Sequence, residues 1–341
     1  MGLNVEAAQL MPETSSIVGA PQVFGRDTER DLVFEMLGVT IGREDKRDQV
    51  IELLGVPLAV QSTSAESKGK RAAAAAAGTG VASTNTAKRV KGNCNDNVSV
   101  LPIVGIGGVG KTTLAQLVYN DSRVKAHFVV RIWVCVSDFF DKRRIIKEII
   151  QSISGTDKGS CSLSVLQEEL VDQLKDEKFL LVLDDIWPNA IDEWETFYAP
   201  FKLGHKGSMI IATTRYPKVA NLVATGQYEP VQLDGLPTDI FCEFFRTCAF
   251  GKNDPESHPR LHHIGHSISS RLCGSPLAAK TLGRLLNMEL TERHWMTIQN
   301  GELWELPNRE NEILPALQLS YLYLPQELKR CFTFCHVSER L

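Results

Sequence analysis

The clearest chemical signal in the sequence is a glycine-rich stretch that runs from Gly105 to Thr113. It fits the pattern G-x-x-x-x-G-K-[ST], which presents backbone N–H groups, a lysine and a hydroxyl to phosphates. Glycines permit positive φ angles, and the N-terminus of a following helix adds partial positive charge. The alternative is a plain glycine-rich turn. The candidate phosphate-binding residues are Gly105, Gly107, Gly108, Val109, Gly110, Lys111, Thr112 and Thr113.

An acidic pair is positioned to complete such a site. The apolar run Phe179–Leu183 predicts a buried strand, and Asp184 and Asp185 follow at its carboxyl end, where open α/β sheets bind ligands. Lys111 is expected to bridge the β- and γ-phosphates. Thr112 and Asp184 are the predicted Mg²⁺ ligands, the carboxylate acting through water, and Asp185 is the candidate catalytic residue that orients or deprotonates a water. The alternative is two strand-end acids that face solvent.

A third candidate is an arginine at the end of another predicted strand. Arg215 follows Thr213 and Thr214 at that point. A guanidinium there could reach the γ-phosphate and sense its loss. An ordinary surface arginine is the alternative.

The elements that must position these residues alternate between strand and helix, which predicts an α/β domain. From Ile240 onward the pattern is helical and punctuated by prolines. We find no internal repeat. Predicted strands cover 98–105, 128–136, 178–185, 207–215 and 228–233, and predicted helices follow the glycine-rich stretch to 120 and cover 141–154 and 163–174.

Composition narrows the class of protein. The chain has 341 residues, of which 43% are hydrophobic and 23% charged, so it is long enough for about two domains and is not mostly disordered. The net charge of −4 argues against nucleic-acid or membrane-surface binding driven by global charge. No apolar run is long enough to span a bilayer, and the first residues lack a secretory signal pattern. We therefore expect an intracellular protein.

The first hundred residues contain two helix-like stretches and one linker. The stretches follow Asp27 and cover 44–54. Residues 62–97 contain no aromatic side chain and are rich in Ala, Ser, Thr, Asn and Gly, which predicts a disordered linker. Two basic clusters in it look like a bipartite nuclear-localisation signal, and a solubilising linker is the alternative.

Seven motifs in order resemble the NB-ARC module of plant intracellular immune receptors, the nucleotide-binding leucine-rich-repeat proteins. They read VFGRDTER, GIGGVGKTTLAQLVYND, RIWVCVSDFFD, FLLVLDDIW, GSMIIATTR, CGSPLAAKTLG and CFTFC. The resemblance implies a P-loop NTPase parallel sheet of the AAA+/STAND kind, followed by a small helical subdomain and the start of a winged helix.

The resemblance also implies residue roles and domain bounds. Val23, Phe24 and Arg26 would frame the adenine or ribose, and Pro276 would pack on the base, although a helix-starting proline is an alternative account. The implied regions are a tail at 1–20, the opening of the module at 21–61, the linker at 62–97, the α/β domain at 98–235, the helical subdomain at 236–305 and a truncated winged helix at 306–341.

By resemblance, the function would be an ADP/ATP-binding switch in the defence response, with Mg²⁺ and slow ATP hydrolysis that resets the state. A protein-interaction adaptor or decoy for full-length receptors is the alternative, and an ordinary ATPase or kinase is a weaker one. The implied partners are other receptor domains or full-length receptors, self-association is left open, and nucleic acid is not expected. We expect a truncated receptor fragment in the cytoplasm, with a nuclear pool if the basic clusters direct import.

Overall fold

The computed structural model describes most of the chain between Gly42 and Gly301. The described residues are 42–57, 97–136, 140–155, 161–187, 190–225 and 228–301, with 321, 326 and 328–330. Several predictions therefore lie outside the described residues: the tail at 1–20, the adenine contacts at Val23, Phe24 and Arg26, the helix-like stretch after Asp27, the linker up to residue 96, and the CFTFC motif of the winged helix.

A five-stranded parallel sheet forms the centre of the fold and confirms the predicted α/β class. Along the sheet the strand order is β2-β3-β4-β1-β5. The strand β5 is much shorter than the predicted 228–233, because it pairs only with the last two residues of β1. The strands are β1 (Val98–Val104), β2 (Val130–Cys135), β3 (Phe179–Ile186), β4 (Ser208–Thr214) and β5 (Val231–Gln232).

Helices connect and cover the strands, and their ends follow the capping residues of the sequence. Asp141 accepts hydrogen bonds from the N–H groups of Arg143 and Arg144, so α4 begins one residue after the predicted start. Gly155, with φ of 69°, ends that helix. The helices up to β5 are α1 (Glu44–Leu53), α2 (Lys111–Asn120), α3 (Ser122–His127), α4 (Lys142–Ser154), α5 (Leu163–Leu174), α6 (Trp194–Tyr198) and α7 (Pro217–Val223), with a 3₁₀ helix at Ala199–Leu203.

The two faces of the sheet bury separate apolar cores, because successive strand residues point to opposite sides. Val98 and Val100 of β1 pack into one core with α4, α5 and α6. Leu101 and Ile103 pack into the other core, together with α1, α2 and α3. The helix α1 thus lies on the same face of the sheet as the helix that follows the glycine-rich loop.

A helical region follows the sheet and has a third core of its own. Gly283 is needed there, since an added Cβ would lie 2.4 Å from the Cβ of Cys248. Trp295 is fully buried and donates its indole N–H to the Leu286 carbonyl at 3.0 Å. The helices are α8 (Thr238–Phe250), α9 (Pro259–Ser269), α10 (Pro276–Asn287) and α11 (Glu292–Gln299), with a 3₁₀ helix at Pro255–Ser257.

Within the part of the chain that the structure describes, no helix is both long enough and apolar enough to cross a membrane.

Candidate functional site

The glycine-rich stretch forms a loop between β1 and α2, at the carboxyl edge of the sheet. Gly108 and Gly110 have φ of 69° and 102°, in the left-handed region that glycine adopts without strain. Gly105 is fixed by crowding, because an added Cβ would lie 2.3 Å from the Leu233 carbonyl oxygen. The loop is therefore built for glycine at the positions that the motif predicts, and we call residues 105–110 the phosphate loop.

Lys111 begins α2 and is only 7% exposed. Its Nζ donates to the carbonyl oxygens of Gly105 at 2.9 Å and Ile106 at 3.0 Å. Burial lowers the pKa of Lys111 to about 8, against the opposing attraction of Asp185 and Asp184. An ammonium that is held by two loop carbonyls and largely removed from water is well placed to meet an anion at this loop.

Asp184 lies at the end of β3 and is completely buried. Its Oδ1 accepts hydrogen bonds from Thr112 Oγ1 at 3.1 Å and from Thr213 Oγ1 at 2.6 Å. The two predicted metal ligands, Thr112 and Asp184, are thus brought together, and both would coordinate a metal ion through oxygen. Mg²⁺ prefers such ligands and commonly binds to one or two carboxylates together with phosphate oxygens, so these residues fit it.

Asp185 departs from regular strand geometry. Its φ is 61°, which is unusual for a residue with a side chain, and the pairing of β3 with β4 shifts register between Leu183 and Ile186. The N–H of Asp185 donates to Thr213 Oγ1 at 2.8 Å. Backbone strain of this kind persists only where surrounding contacts enforce it, and it concentrates at functional sites.

Arg215 lies beside the phosphate loop, directly after β4. Its Nη2 donates to Asp185 Oδ2 at 3.1 Å, and its guanidinium carbon lies 5.3 Å from the centre of the Trp187 ring. A Cβ added to Gly107 would lie 3.7 Å from Arg215 Nη1. The predicted sensor arginine and the predicted catalytic acid therefore form an ion pair next to the loop.

The helical region reaches the same loop through the start of α10. Ser275 is fully buried, caps the helix by accepting from the Ala278 N–H at 3.4 Å, and donates to the Gly108 carbonyl at 3.4 Å. The N–H of Leu277 donates to the same carbonyl at 3.3 Å. Pro276 stands between these two contacts as the first residue of α10. Its packing on a base stays a prediction.

Sequence reasoning missed three side chains that hold the site together. Thr213 joins Asp184 to the backbone of Asp185, and its position in the TTR motif was a usable signal. Ser275 before a proline is a recognisable helix N-cap, although its bond to the phosphate loop was not readable. Nothing in the sequence pointed to Trp187 as the ring beneath Arg215.

Comparison with known proteins identifies the family of the chain. The model of the NB-ARC domain family matches residues 84–255, which is half of the chain. Disease resistance protein RGA2 of Solanum bulbocastanum is 36% identical over 334 residues, which cover 98% of this chain and 29% of that protein. A second protein of that plant, RGA4, is 43% identical over 245 residues, which cover 72% of this chain and 24% of that protein.

The chain thus spans less than a third of the length of these relatives. Among solved structures, a Pyrococcus horikoshii signal transduction ATPase with numerous domains (STAND) protein with a tetratricopeptide repeat sensor matches with a TM-score of 0.42 and 16% identity, over 71% of this chain and 34% of that chain. The family match covers the phosphate loop, Asp184, Asp185 and Arg215. The chain therefore belongs to the NB-ARC domain family, and its sequence relatives are plant disease resistance proteins.

Proposed function

We propose that this chain is the ADP/ATP-binding switch module of a plant immune receptor. One observation carries the proposal: the segment from Gly108 to Thr112 is hydrogen-bonded at one end to the start of α10 in the helical region and at the other to the buried Asp184. A ligand in the loop would therefore lie next to the contact between the sheet and the helical region.

Different residues in and beside the phosphate loop would bind the phosphates and the metal ion. Lys111 and the backbone N–H groups of the phosphate loop would hold the phosphates. Thr112 and Asp184 would hold Mg²⁺, which supplies neutralisation of phosphate charge when bound. Thr213 keeps Asp184 oriented through its 2.6 Å hydrogen bond.

Asp185 and Arg215 would distinguish the two nucleotides. Arg215 is held between Asp185 and the Trp187 ring, so an additional phosphate near Gly107 would compete with the carboxylate for the guanidinium. Asp185 is also the candidate for orienting water, and it would be released only to the extent that the phosphate wins this competition, which favours slow hydrolysis that resets the state over sustained turnover.

The switching part rests on the contact between the Gly108 carbonyl and α10. A ligand shifts a conformational equilibrium only by its differential affinity for the two states. We propose that ADP favours the state in which Ser275 and Leu277 bond to Gly108, and that ATP favours release. In a longer receptor, other domains would sense this release in the defence response.

The test is the nucleotide that co-purifies with the chain. We expect near-stoichiometric ADP after denaturation and chromatography of the wild-type protein, and its loss in Lys111→Ala. Lys125→Ala serves as the matched control, because Lys125 is exposed on α3, away from the phosphate loop. A radiolabelled ATP assay on the same preparations would report turnover, which we expect to be slow.

An empty wild-type chain that also fails to bind added ADP or ATP would contradict the switch. Retention that Lys111→Ala leaves unchanged would favour an interaction adaptor or decoy instead. Fast, sustained ATP turnover would favour an ordinary ATPase.

A further inference from the structure

Arg43 lies where three parts of the molecule meet. Its Nη2 donates to the Val109 carbonyl in the phosphate loop at 2.9 Å and to the Asp234 carbonyl, after β5, at 2.8 Å. The residue is only 4% exposed. One guanidinium group therefore ties the loop to the connection that leads from the sheet into the helical region.

The residue before it is pressed against that helical region. Gly42 has φ of 77°, and an added Cβ would lie 2.9 Å from Ile240 Cδ1 and 3.7 Å from Leu236 Cδ2. Glycine thus allows the chain to pass α8 closely and to turn the arginine towards the loop.

The helix α1, which begins directly after Arg43, fixes its place on the sheet. Val50 and Ile51 are fully buried in the core that α1 shares with α2. Asp48 accepts a hydrogen bond from Arg123 Nη2 at 2.7 Å. Arg43 therefore directly precedes a helix that is packed against the sheet, and this helix fixes the position of its backbone.

A short repeat in the sequence bears on this position. Residues 25–39 (GRDTERDLVFEMLGV) reappear as residues 42–56 (GREDKRDQVIELLGV), with nine of the fifteen positions identical. The expectation of no internal repeat was wrong, because a segment of fifteen residues occurs twice in succession. The chain thus carries two copies of one segment, each beginning with Gly-Arg.

The repeat keeps the positions that are buried in the second copy. Arg43, Val50, Leu54 and Val56 are buried and match identical residues of the first copy. The fifth buried position is the exception: Ile51, with 0% exposure, corresponds to the larger Phe34. A close-packed site for isoleucine accepts a larger ring poorly, so the second copy fits the sheet better.

We propose that Arg43, from the second copy, is the positioning residue of the phosphate loop, and that Arg26, from the first copy, is not required. The inference rests on the proposed nucleotide binding. By holding Val109 against the connection at Asp234, Arg43 fixes the loop backbone whose N–H groups would meet the phosphates. The family resemblance placed Arg26 beside the adenine or ribose, whereas the contacts of Arg43 reach the phosphate loop.

The two copies supply their own matched controls. ADP dissociation constants would be measured by titration calorimetry for the wild-type chain, Arg43→Ala, Arg26→Ala, Arg43→Lys and Arg26→Lys, with Lys111→Ala as the reference for a disabled site. We expect Arg43→Ala to weaken ADP binding about tenfold, because the buried Val109 carbonyl and the part-buried bond to the Asp234 carbonyl lose their donor. Arg26→Ala should stay within about twofold of the wild type. Arg43→Lys should fall between wild type and Arg43→Ala, since a lysine keeps a charged donor.

The outcomes separate this inference from the proposed function. A wild-type chain that does not bind ADP removes both. Normal binding by Arg43→Ala, with binding lost in Lys111→Ala, overturns the role of Arg43 alone. Equal weakening by Arg26→Ala and Arg43→Ala overturns the assignment to the second copy, and a lysine variant no tighter than alanine overturns positioning by a charged donor. If Arg43→Ala does not fold, the lysine pair decides: Arg43→Lys must bind ADP more weakly than Arg26→Lys.

Discussion

The phosphate loop and the junction between the sheet and the helical region, at Asp234 and Gly235, are alike in local packing and differ in how the sequence encodes them. Each contains a glycine that another part of the backbone approaches closely. A Cβ on Gly105 would lie 2.3 Å from the Leu233 carbonyl oxygen, and a Cβ on Gly235 would lie 2.3 Å from the Cys273 carbonyl oxygen. The loop glycine belongs to a recognisable motif, whereas the junction glycine belongs to none that we identified.

The difference lies in how far apart the partners are along the chain. Lys111 bonds to carbonyls five and six residues before it, so a local pattern encodes the contact. At the junction, Arg43 and Asp234 are 191 residues apart, and Ser275 and Gly108 are 167 apart. The contacts of the loop are therefore encoded locally, whereas those of the junction depend on segments that only the fold brings together.

The largest expected effect comes from placing a methyl group at each glycine. Gly105→Ala must displace the loop or the backbone at Leu233, and it should cost about 3 kcal/mol of unfolding free energy, with ADP binding lost. Gly235→Ala meets the same crowding at the junction, so we expect a similar loss of stability with ADP binding only weakened. Chemical denaturation and calorimetry on both variants test this, and loss of ADP binding in Gly235→Ala alone would reverse the comparison.

A smaller effect is expected from the threonine that orients the acidic pair. Thr213→Val removes the hydroxyl between Asp184 and the Asp185 backbone, which should cost about 2 kcal/mol and weaken the Mg²⁺ dependence of nucleotide binding. Thr214→Val is the control, because it removes a 2.6 Å bond to the Ile186 carbonyl and leaves Asp184 untouched. Identical Mg²⁺ titrations for the two variants would show that Thr213 has no special role.

The buried Lys111 should make both ADP affinity and stability depend on pH. Burial lowers the pKa of Lys111 to about 8, so the free protein loses this charge as pH rises through that value. ADP affinity should then fall by up to about tenfold per pH unit above roughly pH 8. Between about pH 8 and 10 the unfolded chain binds the extra proton, so the same residue should make stability rise with pH.

Comparing wild type with Lys111→Met isolates this contribution to stability, because other groups titrate in the same range. The difference in melting temperature between the two proteins should change in favour of the wild type from pH 8 to pH 10. A constant difference would mean that Lys111 keeps an ordinary pKa.

The smallest expected effect is at the cap that joins α10 to the loop. Ser275→Ala should cost about 1 kcal/mol of unfolding free energy through the lost cap, and it should also speed ADP release because one of the two hydrogen bonds to the Gly108 carbonyl is lost. Thr291→Ala removes the corresponding cap of α11, where Thr291 accepts from the His294 N–H, far from the loop in sequence. ADP release measured by stopped flow should change only in Ser275→Ala. Equal release rates would limit Ser275 to helix stability.

Much of the fold was predictable from local patterns. The helix α5 has the predicted bounds, and four strands match their predictions to within two residues at each end. The strand β5 was overestimated, because its length depends on how far β1 extends beside it and not on its own residues.

The sequence alone determined the chemistry of the loop side: the glycines, Lys111, the acidic pair and Arg215 are local patterns attached to strand ends, and strand ends meet at one edge of a parallel sheet. Only the tertiary structure decided how these groups are held. Thr213 bridges the acidic pair, Asp185 takes a left-handed backbone, and Arg43 and Ser275 join the loop to the helical region. Such contacts depend on packing between segments that are distant in sequence. A local residue pattern does not specify which distant carbonyl a side chain will contact.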